Sequence, residues 1–159
     1  MEKQTNIEID MRQVPPGYVY CFNGECQKHE ECLRYIVGQQ VDKGLTVAPT
    51  VLPTVLRLRS CPHFQKAELM RMAWGFDKLF AEVKVKDGPV LREKMRAYLG
   101  GMGTYSRYKL GRRMLTPEQQ EHIIGFFRKK GYTEGLEFDH YVTVYDFVTI
   151  WTNTYCFPG

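Results

Sequence analysis

Four cysteines fall within 41 residues, Cys21, Cys26, Cys32 and Cys61, in the spacing C-x4-C-x5-C-x28-C. Two histidines stand beside them, His29 three residues before Cys32 and His63 two after Cys61. Structural zinc takes four Cys or His ligands in a tetrahedron, commonly gathered from separate chain segments. Asn23-Gly24 supplies a turn between the first two thiols. Cys61 precedes Pro62 at the expected start of a long helix, where amide dipoles favour thiolate. Zinc is the metal this donor set suits first. A [4Fe–4S] cluster also takes four thiolates, and spacing does not separate the two. Two metal-free readings remain: a transient redox pair of Cys21 with Cys26, and small buried hydrophobes, as free cysteines often are. A four-ligand site has no open position, so it would be structural rather than catalytic. It would also be a condition of folding. Structural zinc contributes roughly 10–16 kcal/mol, against a net domain stability of about 5–15 kcal/mol. Cys156, three residues from the end of the chain, is read as a non-ligand.

A second chemistry lies in Gly103 to Pro117, where Arg and Lys alternate with Tyr ahead of a capped helix. Thr104 to Gly111, followed by Leu115-Thr116-Pro117-Glu118, resembles the recognition helix and the start of the next helix in Cro/repressor-type helix-turn-helix domains. In those domains the second motif helix enters the major groove. The resemblance spans residues 104–118. It implies that Thr104, Tyr105, Ser106, Arg107 and Lys109 face nucleic acid, with Arg112 and Arg113 near phosphate. Such phosphate contacts position a protein, while base-edge contacts specify sequence. Five to seven of them would give log K a slope on log salt of roughly −4.5 to −6. The competing expectation is a solvated basic face that meets an acidic protein partner or the chain's own Glu134, Glu137, Asp139 and Asp146.

A wider set of residues covers most of the chain: Cys21-Phe22-Asn23, Cys26, Cys32-Leu33-Arg34, Cys61-Pro62-His63-Phe64, Arg107-Tyr108-Lys109 and Leu115 to Gln120. Together they resemble a family of small uncharacterised bacterial proteins, a domain of unknown function. The resemblance implies no assigned activity.

The elements that must position these groups follow from periodicity and turn residues. Residues 1–20 are expected to be irregular, with a turn at Pro15-Pro16-Gly17. A helix is expected from after Cys26 to about Gln40, with Cys32, Ile36 and Val37 on one face. Pro49 and Pro53 make residues 45–58 a loop or edge strand. The three- and four-residue steps of Leu69, Met72, Phe76, Leu79, Phe80 and Val83 predict a helix over 63–83. Leu91, Met95 and Leu99 predict another, opened by Pro89 and ended by Gly100-Gly101. A short helix from Thr104 to Leu110 closes at Gly111. Thr116-Pro117-Glu118-Gln119 is an N-cap, first-turn proline and capping-box partner for a helix to about Lys130. Phe138 to Trp151 predicts a strand.

The chain has 159 residues, 43% hydrophobic and 25% charged, which suits a globular domain and excludes a disordered tail protein. Residues 1–83 are neutral, 84–131 carry net +8 and 132–159 net −4. The expected divisions within a single domain, 1–159, are therefore a cysteine-rich lobe (1–62), a basic helical core (63–131) and an acidic β tail (132–159). No apolar run reaches the ~20 residues of a membrane helix, and no secretory leader follows the early charges. A reducing cytoplasmic setting without membrane is the expectation. No P-loop, dinucleotide fingerprint or G-x-S-x-G elbow occurs. His122, Asp139-His140 and the pair Cys61 with His63 are the weak catalytic candidates, so no catalytic residue is assigned and an enzyme ranks third. The expected class is α+β: a helix-rich single domain with a cysteine-nucleated N-terminal lobe and a C-terminal strand or hairpin. The expected function is metal-stapled, zinc-dependent binding of nucleic acid. A protein-interaction module and an iron–sulfur sensor are the alternatives.

Overall fold

Pro15-Pro16-Gly17 turns the chain as its composition predicts: the Tyr18 N–H donates to the Pro15 carbonyl at 3.1 Å, and Gly17 takes φ +74°. The structure, a computed structural model, describes residues 8–147. It is α+β, with short helices and two small two-stranded sheets among those residues. The chain divides into two compact units. One is built from residues up to Leu69 and from Val144 onward, the other from Met70 to Thr143. These boundaries differ from the charge boundaries, because charge marks solvated surface while the units follow packing of apolar side chains. No described helix is long and apolar enough to cross a membrane.

In the first unit, β1 (Tyr20–Cys21) pairs in parallel with β2 (Thr50–Val51), Tyr20 opposite Thr50 and Cys21 opposite Val51. The strand is short because Pro49 and Pro53 bracket it and cannot donate to a ladder. The helix expected after Cys26 begins later. A 3-10 turn at His29–Glu31 comes first, and α1 (Leu33–Gln39) follows with Cys32 as its N-cap. The delay has a backbone cause. Leu33 N–H donates to Gln65 O at 2.7 Å and Ala67 N–H to Glu31 O at 2.8 Å, which holds Cys32 in extended geometry. Leu33 and Val37 are fully buried against Ile9, Tyr18, Tyr20 and Phe147. Gly38 sits against β1 so closely that a Cβ there would stand 2.5 Å from Cys21 O.

In the second unit, the expected 63–83 helix is replaced by β3 (Leu69–Trp74) and a short α2 (Asp77–Phe80). Non-local backbone pairing overrides the local periodicity. Ala73 and Leu115 exchange hydrogen bonds of 3.1 and 2.7 Å. Gly75, at φ +82°, donates to Tyr108 O and accepts from Asp139 N–H. Met72, Phe76 and Leu79 are still buried, whereas Leu69, expected on the same face, is exposed. The correction extends to Cys61, which precedes a turn rather than opening a helix. The later helices match their signals. α3 (Gly88–Leu99) buries Leu91, Met95 and Leu99 and ends at Gly100, φ +88°. α4 (Met102–Lys109) ends before Gly111, φ +75°, whose missing Cβ leaves room for the Trp74 ring. α5 (Pro117–Lys129) buries Ile123, Ile124 and Phe127. β4 (His140–Tyr145) pairs with β3. The end of the strand expectation, 148–151, and Cys156 lie outside the described residues.

Candidate functional site

The four cysteines expected to act together do converge. Cys21, Cys26, Cys32 and Cys61 are free thiols. With His29 they line one small cavity of ≈ 20 Å³, walled also by the rings of Tyr35 and Phe64. A single water needs roughly 10–15 Å³, so the space as it stands suits one atom-sized guest. Each cysteine's backbone is held by local hydrogen bonds. Cys21 ends β1, and the buried Asn23 beyond it reaches Val51 O with its side-chain amide at 3.4 Å. Cys26 donates its N–H to Asn23 O at 3.1 Å. Cys32 caps α1 and accepts from Ile36 N–H at 3.0 Å. Cys61 opens a turn that Phe64 N–H closes at 3.2 Å.

The electrostatics of the cluster follow from this placement. Burial pushes the Cys21 thiol up, the Asn23 amide pulls it down, and the neighbouring Cys32, Cys26 and Cys61 push it up again. Thiolates brought together repel one another, and a shared cation offsets that repulsion. Among the described residues, no group of three or more His, Cys, Asp or Glu side chains is arranged to hold a metal ion as it stands. A cysteine has one side-chain torsion, so a rotamer change moves each sulfur about a fixed backbone. The donor types are those zinc takes.

His29 was not singled out as a ligand by spacing, although it stands three residues from both Cys26 and Cys32. Its Nδ1 lies 2.6 Å from Cys26 O, and its ring meets Tyr35 edge-on at 4.8 Å. His63 lines a neighbouring groove instead, its carbonyl accepting from Arg34 Nε at 2.9 Å. His122 stacks on Tyr98 at 4.0 Å and His140 on Trp74 at 5.1 Å, so these imidazoles are engaged as aromatic faces.

The basic segment divides by exposure. Tyr105 was expected to face nucleic acid, but it is 6% exposed and packs on Phe76 at 5.1 Å. Its ring belongs to the core because α4 carries Tyr105 and Tyr108 on its inner side. Thr104 and Ser106 are half-buried, whereas Arg107, Lys109, Arg112 and Arg113 are exposed. The turn after α4 gathers the arginines, since the Arg112 and Arg113 N–H groups both donate to Arg107 O at 2.8 and 3.1 Å. Lys109 Nζ lies 3.8 Å from Asp77 Oδ1, and Arg113 lies over the Tyr108 ring. Among the described residues, no ion pair joins Glu134 or Glu137 to this segment. Asp139 is committed elsewhere, its carboxylate accepting from the Asp77 and Lys78 N–H groups at 3.0 and 2.8 Å.

No curated protein and no solved structure matches the chain. One family model does, and it agrees with the resemblance to an uncharacterised family. The helix-turn-helix resemblance rests on residues 104–118 alone. Matched over residues 1–147, the chain belongs to the family of unknown function DUF6078.

Proposed function

We propose that the chain is a metal-stapled nucleic-acid-binding protein, with one zinc ion in the cysteine-lined cavity and a basic face formed by Arg107, Lys109, Arg112 and Arg113. The observation that carries the metal reading is the convergence of Cys21, Cys26, Cys32 and Cys61, distant in sequence, on one cavity of ≈ 20 Å³. Bound there, zinc would supply a cross-link and charge neutralisation, not an open coordination position. The need is physical. Among the described residues the first unit's core holds six buried apolar side chains against thirteen in the second. At roughly 1.5–3 kcal/mol for each large one, the first unit has the smaller apolar contribution and gains more from a staple.

The nucleic-acid reading is favoured by the turn that gathers Arg107, Arg112 and Arg113 on exposed surface. The alternative in which the chain's own acidic residues meet the basic face loses one acceptor, because Asp139 is bonded to the start of α2. The test of the staple is metal analysis of untagged protein purified under reductant. About one zinc per chain is expected, the stoichiometry of a single four-ligand site, falling when Cys26→Ser is introduced. Protein that is folded and metal-free, or brown with iron, overturns it.

A further inference from the structure

We infer that His29 is itself a ligand of the ion, through Nε2, and that it acts with Cys21, Cys26 and Cys32 while Cys61 remains a free thiol on the cavity wall. The inference rests on the metal reading above and assigns its ligands. The cavity offers five donors for four tetrahedral places. Three of them stand at three-residue intervals in one hydrogen-bonded run. His29 N–H donates to Cys26 O at 3.1 Å, and Cys32 N–H donates to His29 O at 3.2 Å. Cys26, His29 and Cys32 all line the cavity from this run, and Cys21 reaches it from the end of β1.

The imidazole is already prepared. Its Nδ1 is 2.6 Å from Cys26 O, which has lone pairs and no proton, so Nδ1 carries the hydrogen and Nε2 the lone pair. A ring nitrogen bonded to a backbone carbonyl while the other faces metal is the arrangement that fixes ligating histidines. Glu30 Oε1 lies 4.0 Å from Nε2, beyond hydrogen-bond distance, so no bond has to be broken there. Charge favours the same set. Three thiolates and a neutral imidazole leave zinc with net −1 rather than −2, and buried charge is costly. Cys61 differs from the others in arriving from a separate loop. The residues leading to it, Leu56 to Ser60, are exposed.

The experiment titrates Co²⁺ into the metal-free full chain and follows the visible absorption of wild type, Cys61→Ser and His29→Ala. Cys61→Ser should retain one cobalt per chain with an unchanged ligand-field spectrum. His29→Ala should shift that spectrum and weaken binding by more than the roughly 10–100-fold that loss of an outer ligand partner costs. Nitrogen NMR of the wild-type His29 ring gives a readout that does not depend on a variant folding: Zn²⁺ should move Nε2 and leave Nδ1 protonated. An unmoved ring, or loss of the metal in Cys61→Ser with His29→Ala unaffected, overturns the assignment and leaves a four-thiolate site. A wild-type chain that takes up neither ion overturns the metal reading itself.

Discussion

Asp87 shows how one side chain can tie a helix start to a distant loop. It stands at the N-cap of α3 but does not cap it; its Oδ2 accepts instead from the Tyr132 hydroxyl at 2.7 Å. That hydroxyl in turn accepts from Lys84 N–H at 3.1 Å, and Lys130 Nζ lies 4.0 Å from Asp87 Oδ1. The Tyr132 hydrogen bond holds the carboxyl below its usual range, with Lys130, Lys86 and Lys84 acting the same way. The bond to Asp87 raises the Tyr132 hydroxyl. The signs follow. A depressed Asp contributes stability above its unfolded value of about 4 and loses it as pH falls through the lower folded value; a raised Tyr contributes below about 10 and loses it on rising pH. The stability gap between wild type and Asp87→Asn should therefore be widest near neutrality and shrink at both extremes, as read from denaturant midpoints. A gap of constant width from acid to alkali would remove the pair from the account. Nothing in the sequence announces this contact, since Asp87-Gly88 reads only as a turn. The same holds for His29. Its residue type and spacing were visible, but the proton on Nδ1 depends on where Cys26 O points.

Elements were legible where their signals are local and illegible where a distant backbone decides. α5 is the clear case of the first. Thr116 Oγ1 accepts from Gln119 N–H at 3.3 Å and Gln119 Oε1 accepts from Thr116 N–H at 3.0 Å, all within four residues that also hold Pro117. β3 is the opposite case. Leu69 to Val83 has a helical spacing of apolar residues, yet Ala73 is paired with Leu115 and Gly75 with Tyr108 and Asp139. No window of sequence around Ala73 contains those partners. The cysteine site falls between the two. Its residue types and a turn at Asn23-Gly24 are legible directly, while the helix expected after Cys61 gives way to a turn and β3. The capping box gives a test at this scale. Thr116→Ala removes an acceptor for an orphan helix N–H and should lower unfolding free energy by about 1 kcal/mol, within a range of roughly 0.5–2, while Thr116→Ser should keep most of it. Equilibrium unfolding checks both, and an alanine variant as stable as the serine one would show that the box contributes little beside the burial of Ile123 and Phe127.

Over the whole molecule the modest net charge of +4 hides an uneven distribution. Residues 70–143 hold fourteen Lys/Arg against nine Asp/Glu, net +5, and the remaining residues hold eight against nine, net −1. The net positive charge therefore belongs to the second unit, while the cysteines and their cavity belong to the first. Thr104, Tyr105 and Ser106 carry no charge and release no counterions, so the expected salt dependence rests on the cations of the segment. Four cations, Arg107, Lys109, Arg112 and Arg113, are exposed there, so on the proposed reading at most about four phosphates would be neutralised by this segment. Each contributes close to −0.9 to the slope of log K on log salt for a duplex, giving roughly −3.6 in place of −4.5 to −6. Arg112→Gln with Arg113→Gln removes two contacts and should reduce the slope to about −1.8, weakening binding on unrelated duplex sequences alike, because phosphate contacts carry no sequence information. Fluorescence anisotropy with the full chain across a salt series measures both slopes. Binding whose salt dependence survives the double substitution would move the interface to other cations of the second unit. Absence of duplex binding, together with a protein partner that persists after nuclease treatment, would assign the basic face to an acidic protein and leave the metal staple as an independent property of the first unit.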